Sequence, residues 1–127
     1  MAKNTKYLSV REIENAYEIQ IQSKDFNTAV EEETSSIIAM LFFQTRSHIQ
    51  LDVSSLDYIP LSFLTQILRL AKDLRAKKRV LVLQGLPFSS FHFLQRFGMT
   101  RLFFQTRDGM LRTKFENPLL PREESRG

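Results

Sequence analysis

The sequence predicts one α/β domain, a mixed sheet of four to five strands with helices packed against it. Three observations carry this. Residues 16–22, Ala-Tyr-Glu-Ile-Gln-Ile-Gln, alternate apolar and polar side chains, the period of a strand with one face in a core. Between residues 61 and 77, Leu64, Ile67, Leu68, Ala71 and Leu74 form one stripe, with Arg69, Lys72, Asp73 and Lys77 on the other side, which is the pattern of an amphipathic helix. The two periods then alternate along the chain, and alternating strands and helices build a parallel or mixed sheet with right-handed crossovers.

The elements follow in order. Tyr7 to Ile13 is a first strand, and Glu14-Asn15 is the turn of a hairpin leading into the strand from Ala16 to Gln22. Thr28 to Glu31 reads as a capping box, in which Thr28 accepts from a free helix N–H and Glu31 reaches back. Glu31, Glu32 and Glu33 suit the positive end of a helix dipole, and Ile37, Ile38, Leu41 and Phe42 continue at helical spacing, so a helix is expected over 29–43. His48 to Val53 returns to strand, and Ser54 to Pro60 is a loop. Pro60 or Leu61 opens the second helix, which runs to about Lys77. Arg79 to Gln84 is a nearly continuous apolar run, as in a central strand covered on both faces, and Gly85 ends it. Pro87 starts a third helix with Phe91, Leu94 and Phe97 on its apolar face and Gly98 as its stop. Leu102 to Gln105 is a last strand, and the turn at Arg107-Asp108-Gly109 lets Met110 to Phe115 fold back on it. The hexamer Leu-Phe-Phe-Gln-Thr-Arg occurs at 41–46 and again at 102–107, with unrelated flanks, so it marks no repeated unit.

Composition bounds the function. A chain of 127 residues supports one core, here assigned to residues 1–116, followed by a polar tail at 117–127. Cysteine is absent, which excludes disulfides and thiolate metal sites. The polar start, MAKNTKYLSV, lacks the apolar segment of a signal peptide, and no apolar run approaches the roughly 20 residues that span a bilayer. A cytoplasmic protein without membrane insertion is the expectation. The net charge is +4. Cations gather at Lys72, Arg75, Lys77, Lys78 and Arg79 and from Arg101 to Arg112, but acidic residues interrupt both groups, and nucleic acid is not expected as a partner.

No enzyme chemistry and no cofactor site is signalled. His48 and His92 lack metal-ligand spacing with each other or with carboxylates. There is no GxxxxGK[ST] and no GxGxxG loop, and Ser62 stands outside a G-x-S-x-G elbow.

From Ile49 to about Phe103 the sequence resembles the STAS family, the domain of bacterial anti-sigma factor antagonists. That family has an apolar strand ending in Asp-Leu-Ser, matched by Leu51-Asp52-Val53-Ser54. Tyr58-Ile59 matches its aromatic–aliphatic loop end. Pro60-Leu61-Ser62-Phe63-Leu64 stands where the family has Asp-Ser-Ser-Gly-Leu, opening a helix rich in Leu and Lys. The strand Val80 to Leu83 with Gly85-Leu86, and the closure from Leu94 to Gly98-Met99, also correspond.

The resemblance implies a non-enzymatic interaction module. Its partner would be an anti-sigma factor that is also a serine kinase, and the candidate phosphorylation site is Ser62, at the position of the family's phospho-acceptor. Docking is expected on Tyr58, Pro60, Leu61, Ser62, Phe63 and Gln66. Pro60, Leu61 and Phe63 depart from the family motif, so two readings of Ser62 stay open: a phosphorylated switch, or a hydroxyl that caps the helix or faces water. The alternatives for the whole chain are a switchless scaffold or subunit of a signalling or lipid-transport assembly, and a small-ligand or nucleotide-binding module. Eleven phenylalanines weigh toward binding, since Phe63, Phe88 and Phe93 lie off the predicted apolar faces. Exposed aromatics anchor interfaces, and a homodimer or a partner would cover them.

Overall fold

A computed structural model describes residues 5–96, 98, 103–105 and 111–113. The elements are β1 (Leu8–Ile13), β2 (Ala16–Ile21), α1 (Thr28–Gln44), β3 (His48–Asp52), α2 (Leu61–Ala76), β4 (Leu81–Gln84), α3 (Phe88–Arg96), β5 (Phe103–Gln105) and β6 (Leu111–Thr113). The strands form one sheet in the order β1-β2-β3-β4-β6-β5. The β2–β3 and β3–β4 pairs are parallel, and β1–β2, β4–β6 and β5–β6 are antiparallel. The sheet is thus mixed, as expected, with six strands instead of four to five because 111–113 returns as a strand of its own. The expected boundary of a C-terminal tail, and the turn at 107–109, lie outside the described residues.

One face of the sheet holds the core. Ile19, Leu51 and Leu83 are aligned across β2, β3 and β4 and are at most 1% exposed. Ile21, Ile49, Leu81 and Leu8 extend the same buried face. Against it pack Val30, Ile37 and Leu41 of α1, the stripe of α2, and Leu94 of α3, all in one cluster. On the opposite face Gln50 Nε2 donates to Glu18 at 3.1 Å and to Gln84 at 3.1 Å, and Arg11 pairs with Glu18. The run at residues 79–84 is therefore not apolar-covered on both faces: Leu81 and Leu83 are buried, while Val82 and Gln84 are half-buried on this polar side.

Local signals set the ends of the elements. Asn15 takes a φ of 61° in the β1–β2 turn, a conformation that Asn tolerates. α1 is capped by Asn27, not Thr28: the Asn27 side chain accepts from the Val30 N–H at 3.0 Å, and its backbone carbonyl accepts from Glu31 N–H. Asn is as good a cap as any residue, and moving the cap back by one adds Thr28 to the helix. Glu33 does not serve the dipole alone. Its carboxylate accepts from the backbone N–H groups of Lys6 and Tyr7, at 3.0 and 2.7 Å, and ties the start of β1 to α1.

The other end of α1 is closed by a side chain distant in sequence. Arg79, counted above among the cations of its region, is only 5% exposed. Its Nε donates to the Ser47 carbonyl at 2.8 Å, Nη1 to Phe42 at 2.9 Å and Nη2 to Leu41 at 3.2 Å. The guanidinium thus adds a donor to the Leu41 carbonyl, which also accepts from Thr45, supplies one to the Phe42 carbonyl in the last turn, and complements the negative end of the helix dipole. Burial pushes the Arg79 pKa down from its ordinary value, yet an arginine stays charged in proteins.

Two stability predictions follow from this packing. Ile67 is 1% exposed whereas Leu68 is half-buried at the margin of the stripe, and Phe63 and Leu70 belong to the buried face instead. In urea unfolding, Ile67→Ala is expected to cost about 2–5 kcal/mol, and Leu68→Ala clearly less. Arg79→Met is expected to cost about 3 kcal/mol, because it removes the guanidinium donors of the Ser47 and Phe42 carbonyls and one of the donors of the Leu41 carbonyl, which keeps Thr45. A loss for Arg79→Met within the range of an ordinary surface change, about 0.5 kcal/mol, would mean that water replaces the guanidinium freely.

Candidate functional site

The loop between β3 and α2 leaves the sheet at the C-terminal edge of its parallel strands, and short-range bonds hold it. Asp52, 6% exposed, accepts from the backbone N–H of Ser54 at 2.9 Å and from its hydroxyl at 2.6 Å, the side-chain turn that Asp commonly forms two residues on. The Ser55 hydroxyl lies within hydrogen-bonding distance of the carbonyls of Ile21 and Ser23, and the Asp57 N–H donates to the Lys24 carbonyl at 3.2 Å. These bonds stitch the β3–α2 loop to the chain leaving β2. Leu56 and Ile59 are buried beneath it.

Gly85 fixes the loop from the other side. A Cβ built on Gly85 would stand 2.3 Å from Ser54 Cβ, and its φ is +76°. Glycine is thus required twice over, by space and by backbone angle. The start of the β4–α3 connection is pressed against the start of the β3–α2 loop, and the N-termini of α2 and α3 rise from the same edge of the sheet.

At the entry to α2, Pro60 is the N-cap, with a φ of −60° and no side-chain cap bond. The Pro60 carbonyl accepts from Phe63 and Leu64 N–H. Leu61 and Ser62 lie in the first turn, where a backbone N–H has no intrahelical acceptor. Ser62 is exposed and its hydroxyl bonds to nothing among the described residues. It does not cap the helix. Tyr58 is 64% exposed and Leu61 56%, flanking it with apolar surface, and Phe88 at the start of α3 is 82% exposed.

Two expected docking residues are placed differently. Phe63 is fully buried and stacks on Phe26 with ring centroids 4.2 Å apart, so it is no surface anchor. The helical wheel misplaced it because Phe26 precedes α1 and reaches the first turn of α2 only through the tertiary fold. Gln66 is exposed, but its amide donates to Glu31 at 3.2 Å and its carbonyl accepts from the Ser35 hydroxyl at 3.3 Å, linking α2 to α1. Phe93 is half-buried against the core, whereas Phe88 faces solvent as the sequence suggested.

The chain is thus a two-layer α/β domain with a βα loop pinned at Asp52 and Gly85 and an exposed serine in the first turn of the next helix. The STAS domain family model matches residues 7–112, and the chain belongs to that family. STAS domains are in general non-enzymatic protein-interaction modules of the anti-sigma factor antagonist type. No curated protein matches the chain significantly. No described helix is long and apolar enough to cross a membrane.

The burial of Phe63 reverses one expectation. Phe63, expected from the sequence to be a docking residue off the apolar face, is a fully buried ring, and Phe63→Ser leaves Phe26 without its stacking partner. Phe63→Ala is expected to destabilise the domain by about 3–5 kcal/mol in chemical denaturation. A cost near that of Leu61→Ala, an exposed neighbour, would show that the ring does not pack as described.

Proposed function

We propose that this STAS domain binds a protein partner of the anti-sigma factor type in the cytoplasm, and that phosphorylation of Ser62 by that partner's kinase activity releases it. The observation that carries the reading is the state of Ser62: exposed, without a hydrogen-bond partner, in the first turn of a sixteen-residue helix, and bordered by exposed Tyr58 and Leu61. A phosphate there gains the free N–H groups of the first turn and the positive end of the dipole, so the domain tolerates it. A partner packed on Tyr58 and Leu61 does not, because roughly −1.5 to −2 charges must then be buried or stripped of water.

The inward turn of Phe63 also supports the reading. The residue that stands for the family's glycine lies in the core and adds no bulk beside the hydroxyl. Pro60, in place of the family's acidic residue, supplies a fixed φ at the helix start and no charge.

Incubation with a serine kinase of the anti-sigma type and ATP, read by mass spectrometry, is expected to place one phosphate on the peptide containing Ser62. Ser62→Glu is expected to keep the melting temperature and weaken partner binding at least about tenfold, and Ser62→Ala to leave both unchanged. Absence of phosphate on that peptide, with binding by Ser62→Glu equal to wild type, would make the domain a switchless scaffold.

A further inference from the structure

At the end of the domain opposite Ser62, the C-terminus of α1 and the turn between α2 and β4 border a half-open groove of about 510 Å³. Phe42, Phe43, Arg46, Lys77, Lys78 and Arg79 supply its aromatic and cationic walls, and no carboxylate lines it. The ion pairs Arg11–Glu18 and Lys24–Asp57 lie elsewhere, and among the described residues Arg46, Lys77 and Lys78 have no acidic partner. Lys77 Nζ and the Arg79 guanidinium instead lie over the Phe42 ring, 5.6 and 5.3 Å from its centre.

The helix C-terminus would ordinarily make such a place electronegative. Arg79 opposes that by placing its guanidinium on the Leu41 and Phe42 carbonyls of the last turn and on the Ser47 carbonyl beyond it. With the 3.4 Å contact from Nη2 to Thr45 Oγ1, four of the five N–H groups of Arg79 are engaged, leaving one on Nη1. Arg46, Lys77 and Lys78 stand around the opening with no carboxylate beside them among the described residues.

Lys78 is held there against its own preference. α2 ends in a Schellman turn: Arg79 N–H donates to the Leu74 carbonyl at 2.8 Å and Lys78 N–H to Arg75 at 3.0 Å. The residue between must be left-handed, and Lys78 has a φ of 59°. Glycine is the usual occupant of that position. A lysine there is strained, and its charge faces a groove already lined by cations.

We propose that this groove binds a small phosphate-bearing molecule, with the phosphate held by Arg46, Lys77 and Lys78 and the organic part laid against Phe43. A dianionic phosphate matches several converging cations better than a single carboxylate does, since its oxygens accept several charge-assisted bonds. The volume of the groove, about 510 Å³, is that of a small-molecule site, and Phe43, 81% exposed, offers an apolar wall at its mouth.

Titrations of the whole chain with inorganic pyrophosphate and with phenyl phosphate, followed by backbone amide NMR, test this. Saturable shifts are expected at residues 42–46 and 77–79 with both probes. Lys78→Gly is expected to raise the melting temperature, by relieving the left-handed strain, and to weaken pyrophosphate about fivefold. Phe43→Ser should weaken phenyl phosphate more than pyrophosphate. Absence of saturable shifts in this region, or affinities unchanged by both Lys78→Gly and Arg46→Gln, would overturn the proposal.

Discussion

The parallel pairing of β3 with both β2 and β4, in a register that aligns Ile19, Leu51 and Leu83, is the constraint on which the rest of the domain depends. Side chains alternate across a strand, so this register gathers the apolar residues of three strands on one face and the polar ones on the other. The helices must then cover that single face. Parallel strands also require crossovers that return to the same edge, which brings the β2–α1, β3–α2 and β4–α3 connections together there. The contact between Gly85 and Ser54 and the bonds from Ser55 to the end of β2 are consequences of that convergence.

The two ends of the domain are built on opposite electrostatic plans. At the edge where α2 begins, a helix N-terminus with a proline cap leaves donors free beside a bare hydroxyl, in apolar surroundings. At the far end, where α1 stops, a buried guanidinium occupies the helix acceptors and further lysine and arginine side chains remain at the surface. One end presents a serine hydroxyl at a helix N-terminus, and the other gathers cations with no carboxylate beside them among the described residues.

Much of the fold is legible in local patterns. Alternation identified β2, the stripe of Leu64, Ile67, Ala71 and Leu74 identified the inner face of α2, and Asn15 and Gly98 marked a turn and a helix end with positive φ. The candidate site was legible as a place, since the loop end at Tyr58-Ile59 and the helix start at Pro60 are local features. The roles of single side chains there were less so. Phe63 and Arg79 are both read as surface residues by spacing or charge, and both are buried by partners more than thirty residues away: Phe26 for the ring, and the carbonyls at the end of α1 for the guanidinium.

The repeated hexamer states the division most directly. Leu41 to Gln44 ends a helix, whereas Phe103 to Gln105, in the second copy of the same string, is a strand paired with β6. By itself the sequence determined the alternation of elements, the apolar faces long enough to define a period, and the positions where proline, asparagine and glycine start or stop them. Those are short-range effects of sterics and periodicity. The tertiary structure alone decided which conformation the hexamer takes, which phenylalanines are buried, and that Arg79 closes α1. Each of these rests on a partner far along the chain, and local propensity differs by too little to choose between the outcomes.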